Sequence, residues 1–254
     1  MNIFIDIETI PSQKQGAYET YLQDARENFK APSTLTKETM AKDLGITDKD
    51  EIKFTSANSM REMWTAKMAE IKAPEVAEEN YRKTALNGAK GEIYCICFAL
   101  DDGEVQTALG LDERATLHQF FEKLEHGLKA DNPNNRLCRF IGHNIIDFDL
   151  RFIFQRAVVH GIKPKLDLNI SRYSDKAFDT MTEWAGYGNR ISLKDLCETL
   201  DIPTPKDDID GSQVWDCVKN GDGERVTEYC KKDVIATREV YKRLTFQNSK
   251  CLKI

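Results

Sequence analysis

Residues 2 to 10 are rich in β-branched and aromatic side chains and stop at Pro11, a pattern that predicts a buried strand. A second apolar run, Glu92 to Leu100, is followed by the turn residues Asp101, Asp102 and Gly103. A third strand at Glu104 to Leu109 then completes a hairpin. Leu117, Phe120, Phe121, Leu124 and Leu128 recur at helical spacing within 112–130, and after a turn at Pro133 a strand is expected over Arg136 to Gly142. Helices are expected at about Phe148 to Val159, Ser192 to Leu200 and Glu224 to Leu244, with a short strand near Phe178 to Met181. Strands alternating with helices in this order predict a layered α/β domain.

Between the first two strands lies a stretch of about residues 12–88 with sparse apolar positions and nearly balanced charge. Its pattern is largely helical. Trp64, Met68 and Ile71 mark one apolar edge, and Pro32-Ser33-Thr34 and Lys72-Ala73-Pro74 mark breaks. The whole chain, 1–254, is read as a single domain carrying this helical insertion.

Composition narrows the class. With 41% hydrophobic residues the chain can bury a sizeable core, and no apolar run reaches the roughly 18 residues of a membrane span. A cytoplasmic protein is therefore expected, with no membrane partner. Seven cysteines lack paired C-x-x-C spacing, which points to packed thiols in place of a zinc site. A formal charge of −6 argues against a broad basic surface for duplex nucleic acid but leaves room for a narrow channel.

Several acids stand where an apolar pattern does not want them. Strand alternation puts Phe4, Asp6 and Glu8 on one face and Ile3, Ile5 and Ile7 on the other. Two neighbouring carboxylates on a buried face need a cation or an open strand end. Hard oxygen ligands suit Mg²⁺ or Mn²⁺. In the last helix, Asp233 interrupts a stripe formed by Val226, Tyr229, Val240, Tyr241 and Leu244, and Tyr229 lies one turn before it. The segment Gly142 to Asp149 joins a strand to a helix, at the kind of sheet edge where open α/β sheets bind ligands. For Asp147, stabilisation of the helix dipole is the preferred role.

Taken together, Asp6-Ile7-Glu8-Thr9, Asn144 to Asp149 and Tyr229 to Asp233 resemble the three ordered motifs D-x-E, N-x-x-x-F-D and Y-x-x-x-D of the DEDD superfamily of 3'-5' exonucleases. The resemblance is closest to the proofreading exonuclease domain of family B DNA polymerases and its stand-alone bacterial and phage relatives. The segments Ser192 to Cys197 and Asp210 to Trp215 resemble those stand-alone proteins too. The resemblance spans residues 1–11 and about 91–245.

It implies a ribonuclease H-like mixed sheet flanked by helices. It further implies that Asp6, Glu8, Asp149 and Asp233 hold two divalent metal ions, Mg²⁺ or Mn²⁺, with Asp6 bridging, while Tyr229 orients the attacking water. The histidine of the other subtype would stand five residues before the final aspartate, where this chain has Glu228, so the tyrosine subtype is implied. Thr9, Asn144 and Phe148 match positions near the terminal nucleotide, with substrate contact and local support both open for each. Two metals about 3.5–4 Å apart would clamp an in-line phosphodiester displacement and release nucleoside 5'-monophosphates. Activation resting on metal predicts activity that rises with pH. The expected partner is single-stranded nucleic acid with a free 3' end, DNA before RNA.

Other readings fit less of the chain. Gly186-Tyr187-Gly188 begins a G-x-G-x-x-G fingerprint but has Ile191 at the third glycine. Asp208, Asp210 and Gly211 fit an EF-hand register that puts Lys206 and Cys217 at ligand positions. A non-catalytic binding module on the same fold is the rival from another class. Arg190, Lys194, Lys206, Lys231 and Lys232 are candidates to track a single strand, and Tyr18, Tyr21 and Trp64 of the insertion are candidate stacking groups.

Overall fold

The structure, a computed structural model, describes residues 1–110, 112–131, 137–203 and 209–247. Pro133, Arg136, Lys206 and Asp208, each named above, and one of the seven cysteines, Cys251, lie outside the described residues. The described chain divides into two compact units, Met1–Pro11 with the segment from Ala85 onward, and Ser12–Thr84.

The first unit is built on a five-stranded mixed sheet in the order β3-β2-β1-β4-β5, with β1 Asn2–Ile10, β2 Glu92–Leu100, β3 Gln106–Leu109, β4 Arg139–Gly142 and β5 Ala177–Asp179. Strand β1 runs antiparallel to β2 and parallel to β4, which is parallel to β5. The carboxyl ends of β1, β4 and β5 therefore share one edge. The β2–β3 hairpin turns at Asp101, which takes a positive φ of 46°.

Alternation along β1 divides the core. Ile3, Ile5 and Ile7 pack with Leu117, Phe120 and Leu124 of α5 (Glu113–Asp131) and Leu150, Phe152 and Ile153 of α6 (Asp149–Val159). Phe4 and Ile10 face Val214 and Cys217 of α9 (Val214–Lys219) and Val226, Cys230, Val234 and Tyr241 of α10 (Gly223–Leu244). Helices thus cover both faces of the sheet, an α/β fold of the ribonuclease H-like kind. Between these elements lie α7 (Thr180–Ala185) and α8 (Leu193–Thr199).

Two details of the core depart from simple patterning. The β1–β2 register slips between Glu8 and Thr9, because Glu8 pairs with Cys95 and Thr9 with Ile93. Tyr94 is the extra residue of a bulge, and alternation in β2 resets there. On α10 the buried line is Val226, Cys230, Val234, Thr237 and Tyr241, so Tyr229 is flanking and half-buried instead of central to the stripe.

The second unit contains α1 (Ala17–Glu27), α2 (Lys37–Leu44), α3 (Lys49–Phe54) and α4 (Ala57–Arg82). It has apolar clusters of its own. Met60, Trp64 and Met68 of α4 pack on Met40 and Ala41 of α2, whereas Ala73 and Ala77 pack on Ala25 of α1. Lys72-Ala73-Pro74 is not a break: α4 runs through Pro74. Trp64 is 2% exposed and donates its indole N–H to Asp43 at 2.8 Å, so it is a core residue and no stacking platform. Ile71 is exposed and off the apolar edge. No described helix is long and apolar enough to cross a membrane.

Candidate active site

Three elements bring four carboxylates together. Asp6 and Glu8 lie near the end of β1 on the side of α10, where the bulge beside Glu8 adds local twist. Gly142 closes β4, and its lack of a side chain is a packing need: a Cβ there would lie about 2.6 Å from that of Ile145. Asn144 then takes φ 61° and the chain turns into α6, whose first residue is Asp149. Asp149 is 3% exposed, and its Oδ1 accepts the Ile7 backbone N–H at 3.1 Å. That bond ties the start of α6 to β1 between the two β1 acids. Tyr229 and Asp233, one turn apart on α10, supply the remaining groups.

The electrostatics record the convergence. Burial, then the charges of Asp149, Asp233 and Glu8, push the Asp6 carboxyl well above its ordinary range. Glu8 is raised for the same reasons, burial first and then Asp233 and Asp149. Asp149 is pushed up to about 8 by burial, with Asp179 and Asp233 adding to it, against hydrogen bonds from its own backbone N–H and that of Ile7. Asp6 Oδ2 is out of solvent and finds no hydrogen-bond partner among the described residues. Such an oxygen costs about 1–3 kcal/mol if left alone, more when charged. All four acids offer hard oxygen donors, and a divalent cation would both satisfy that atom and offset the mutual repulsion.

Comparison with known proteins gives this geometry a family. A model described as a predicted 3'-5' exonuclease related to the exonuclease domain of PolB matches residues 93–251. The chain belongs to this exonuclease family. It is also 29% identical over 172 residues to an uncharacterized protein of Methanocaldococcus jannaschii, covering 63% of this chain and 90% of that one. The family match contains Asp149, Tyr229 and Asp233 but begins after Asp6 and Glu8, which the parallel and antiparallel pairing of β1 carries to the same place.

Within the exonuclease fold the other sequence candidates divide. Thr9 donates its hydroxyl to the Ala85 carbonyl at 2.7 Å, and Phe148 packs against Phe152. Asn144 is half-buried at the turn, its backbone N–H given to Asp179. Asp147 precedes α6 and is exposed; it pairs with Arg172 at 3.5 Å and does not sit in the first helical turn. Asp179 is 5% exposed and its carboxylate gathers the backbone N–H groups of Asn144, Ile146, Met181 and Thr182. It fixes the turn that delivers Asp149.

Two supports escaped the sequence. His143 bonds Thr180 through Nδ1 and the Ile191 carbonyl through Nε2, and burial pushes its pKa down. Glu113 accepts a two-pronged contact from the buried Arg156, a bond from His160 Nε2 at 2.6 Å, and the Ile93 N–H. The residue before α10's tyrosine, Glu228, is exposed and pairs with Lys231. Cys95, Cys97 and Cys230 are free and buried in the core under Asp6, whose carbonyl accepts from the Cys230 thiol.

Proposed function

We propose that the protein is a metal-dependent 3'-5' exonuclease of the DEDD tyrosine subtype that shortens single-stranded nucleic acid, DNA in preference to RNA. One observation carries the reading: four acids from three elements converge where burial and mutual charge raise the pKa values of Asp6, Glu8 and Asp149 and where one carboxylate oxygen has no hydrogen-bond partner among the described residues. Asp6, Glu8, Asp149 and Asp233 would hold two divalent ions, Mg²⁺ or Mn²⁺. When bound, the ions would lower the pKa of the attacking water and stabilise the charge on the departing 3'-oxygen.

Tyr229 is suited to aim that water. Burial, followed by the charges of Asp233, Glu8 and Asp6, drives its phenol pKa upward, so it keeps its proton and works by hydrogen bonding instead of as a base. No histidine stands in the general-base position, and the residue there, Glu228, pairs with Lys231 at the surface. In the displacement the water oxygen joins phosphorus and the bond to the preceding nucleotide's 3'-oxygen breaks. That oxygen takes up a proton and the terminal nucleotide leaves as a 5'-monophosphate.

The test uses 5'-labelled single-stranded DNA and RNA with Mg²⁺, Mn²⁺ or chelator, beside Asp149→Asn. Asparagine keeps the acceptor for the Ile7 N–H while removing the charge. The expected result is a ladder shortening from the 3' end, abolished by chelator and reduced about a hundredfold or more in the variant. A folded protein that binds the oligonucleotide without shortening it in either metal would instead be a binding module.

A further inference from the structure

Gly186-Tyr187-Gly188 lacks the third glycine of a dinucleotide fingerprint, and its geometry suits another use. Gly186 and Gly188 take φ values of 78° and 83°, a region that side chains disfavour, and a Cβ on Gly188 would meet nothing within 4 Å. The glycines are therefore there for backbone shape, and the shape presents Tyr187, which is 74% exposed. The Arg172 guanidinium lies 4.5 Å from the centre of the Tyr187 ring and also reaches Asp147, two residues before Asp149. A ring held over solvent is thus anchored to the turn that delivers a site carboxylate. His143, bonded to Thr180 and Ile191, ties both flanks of this loop to the end of β4.

We infer that Tyr187, backed by Arg172, is a stacking platform for an unpaired base of the strand entering the site. This rests on the exonuclease reading and names how that site selects its substrate. Aromatic faces accept any base but only where it is unpaired, so the platform favours a single strand over a duplex. Arg190 and Lys194 are exposed nearby in sequence, yet Glu183 and Asp195 are exposed there as well. Stacking, and not a basic stripe, is the source of the contact.

The experiment measures equilibrium binding of labelled oligothymidylate and of a blunt duplex to the full chain in chelator, where no cleavage intervenes. The proteins are wild type, Tyr187→Ala and Tyr187→Phe. A base stack contributes about 1–3 kcal/mol, so Tyr187→Ala should weaken single-strand binding by about fivefold or more. The loss should persist at high salt and spare the duplex, and Tyr187→Phe should bind within about twofold of wild type. Equal affinity of wild type and Tyr187→Ala for the single strand, with unchanged melting temperatures, overturns the platform. So does an equal loss for both ligands. Because binding is read without metal, a protein that fails to cut in Mg²⁺ or Mn²⁺ but still shows the Tyr187 effect would overturn the catalytic reading alone.

Discussion

Each of the four acids is ordinary by itself; their proximity is what the fold must tolerate. Asp149 illustrates the cost, since its carboxyl moves from an ordinary 3.8 to about 8. In the metal-free protein the folded state then holds a proton that the unfolded chain has already lost, so stability declines as pH rises from about 4 to about 8. Asp6 and Glu8, raised in the same direction, add to the slope. Thermal melting in chelator should therefore fall across that window. Mg²⁺ or Mn²⁺ should raise the melting temperature most at its upper end, where deprotonated carboxylates bind the ion. A melting temperature in chelator that is flat or rises with pH would contradict this. Asp6 and Glu8 were visible in the sequence because charge on a buried strand face breaks a period of two. Glu113 was not, because its partners Arg156 and His160 stand far away in sequence and only the fold reveals that the acid is buried.

At the level of elements, positions were legible where one simple pattern runs the length of the element, as in β1, a short β-branched run ended by Pro11, and in α10, which buries one side. They misled where a helix serves two faces. In α4 the buried residues run Met60, Trp64, Met68, then Ala73 and Ala77, and the step of five at Met68 to Ala73 moves the apolar side from α2 to α1. A fixed helical period extrapolated from Trp64 and Met68 lands on Ile71, which is exposed. Pro74 is tolerated because Ala73 and Ala77 are packed out of solvent on either side of it, tertiary burial outweighing a local helix breaker. A second element-scale feature is the buried pair that joins α5 to α6. Arg156→Ala should cost about 3–5 kcal/mol in denaturant unfolding, since it strands the Glu113 charge. The double variant Glu113→Gln, Arg156→Met removes that charge and keeps an acceptor for the Ile93 N–H, so it should recover much of the loss. If the double variant is no better than the single one, the penalty lies in packing and not in the stranded charge.

For the molecule as a whole, the sequence located residues 12–88 as an interruption but could not show that most of it has a core, because packing among short helices leaves little periodicity to read. The structure adds that the unit begins and ends in one place. The Ser12 N–H donates to the Thr84 hydroxyl at 3.0 Å, and the Tyr81 hydroxyl donates to the Ser12 carbonyl at 3.0 Å. A short flexible linker can therefore bridge the gap if residues 13–83 are removed, at a small entropic cost for closing the loop. The clusters around Ile5 and Phe4 include no residue of the excised segment, and the four acids lie outside it in the chain. The excised protein is expected to unfold cooperatively and to keep its stabilisation by Mg²⁺ or Mn²⁺. Loss of metal-dependent stabilisation in a folded excision variant would show that residues 13–83 shape the acid site. A retained metal response with weakened oligonucleotide affinity would instead place the unit in substrate binding through groups other than Trp64, whose ring is occupied by its own core.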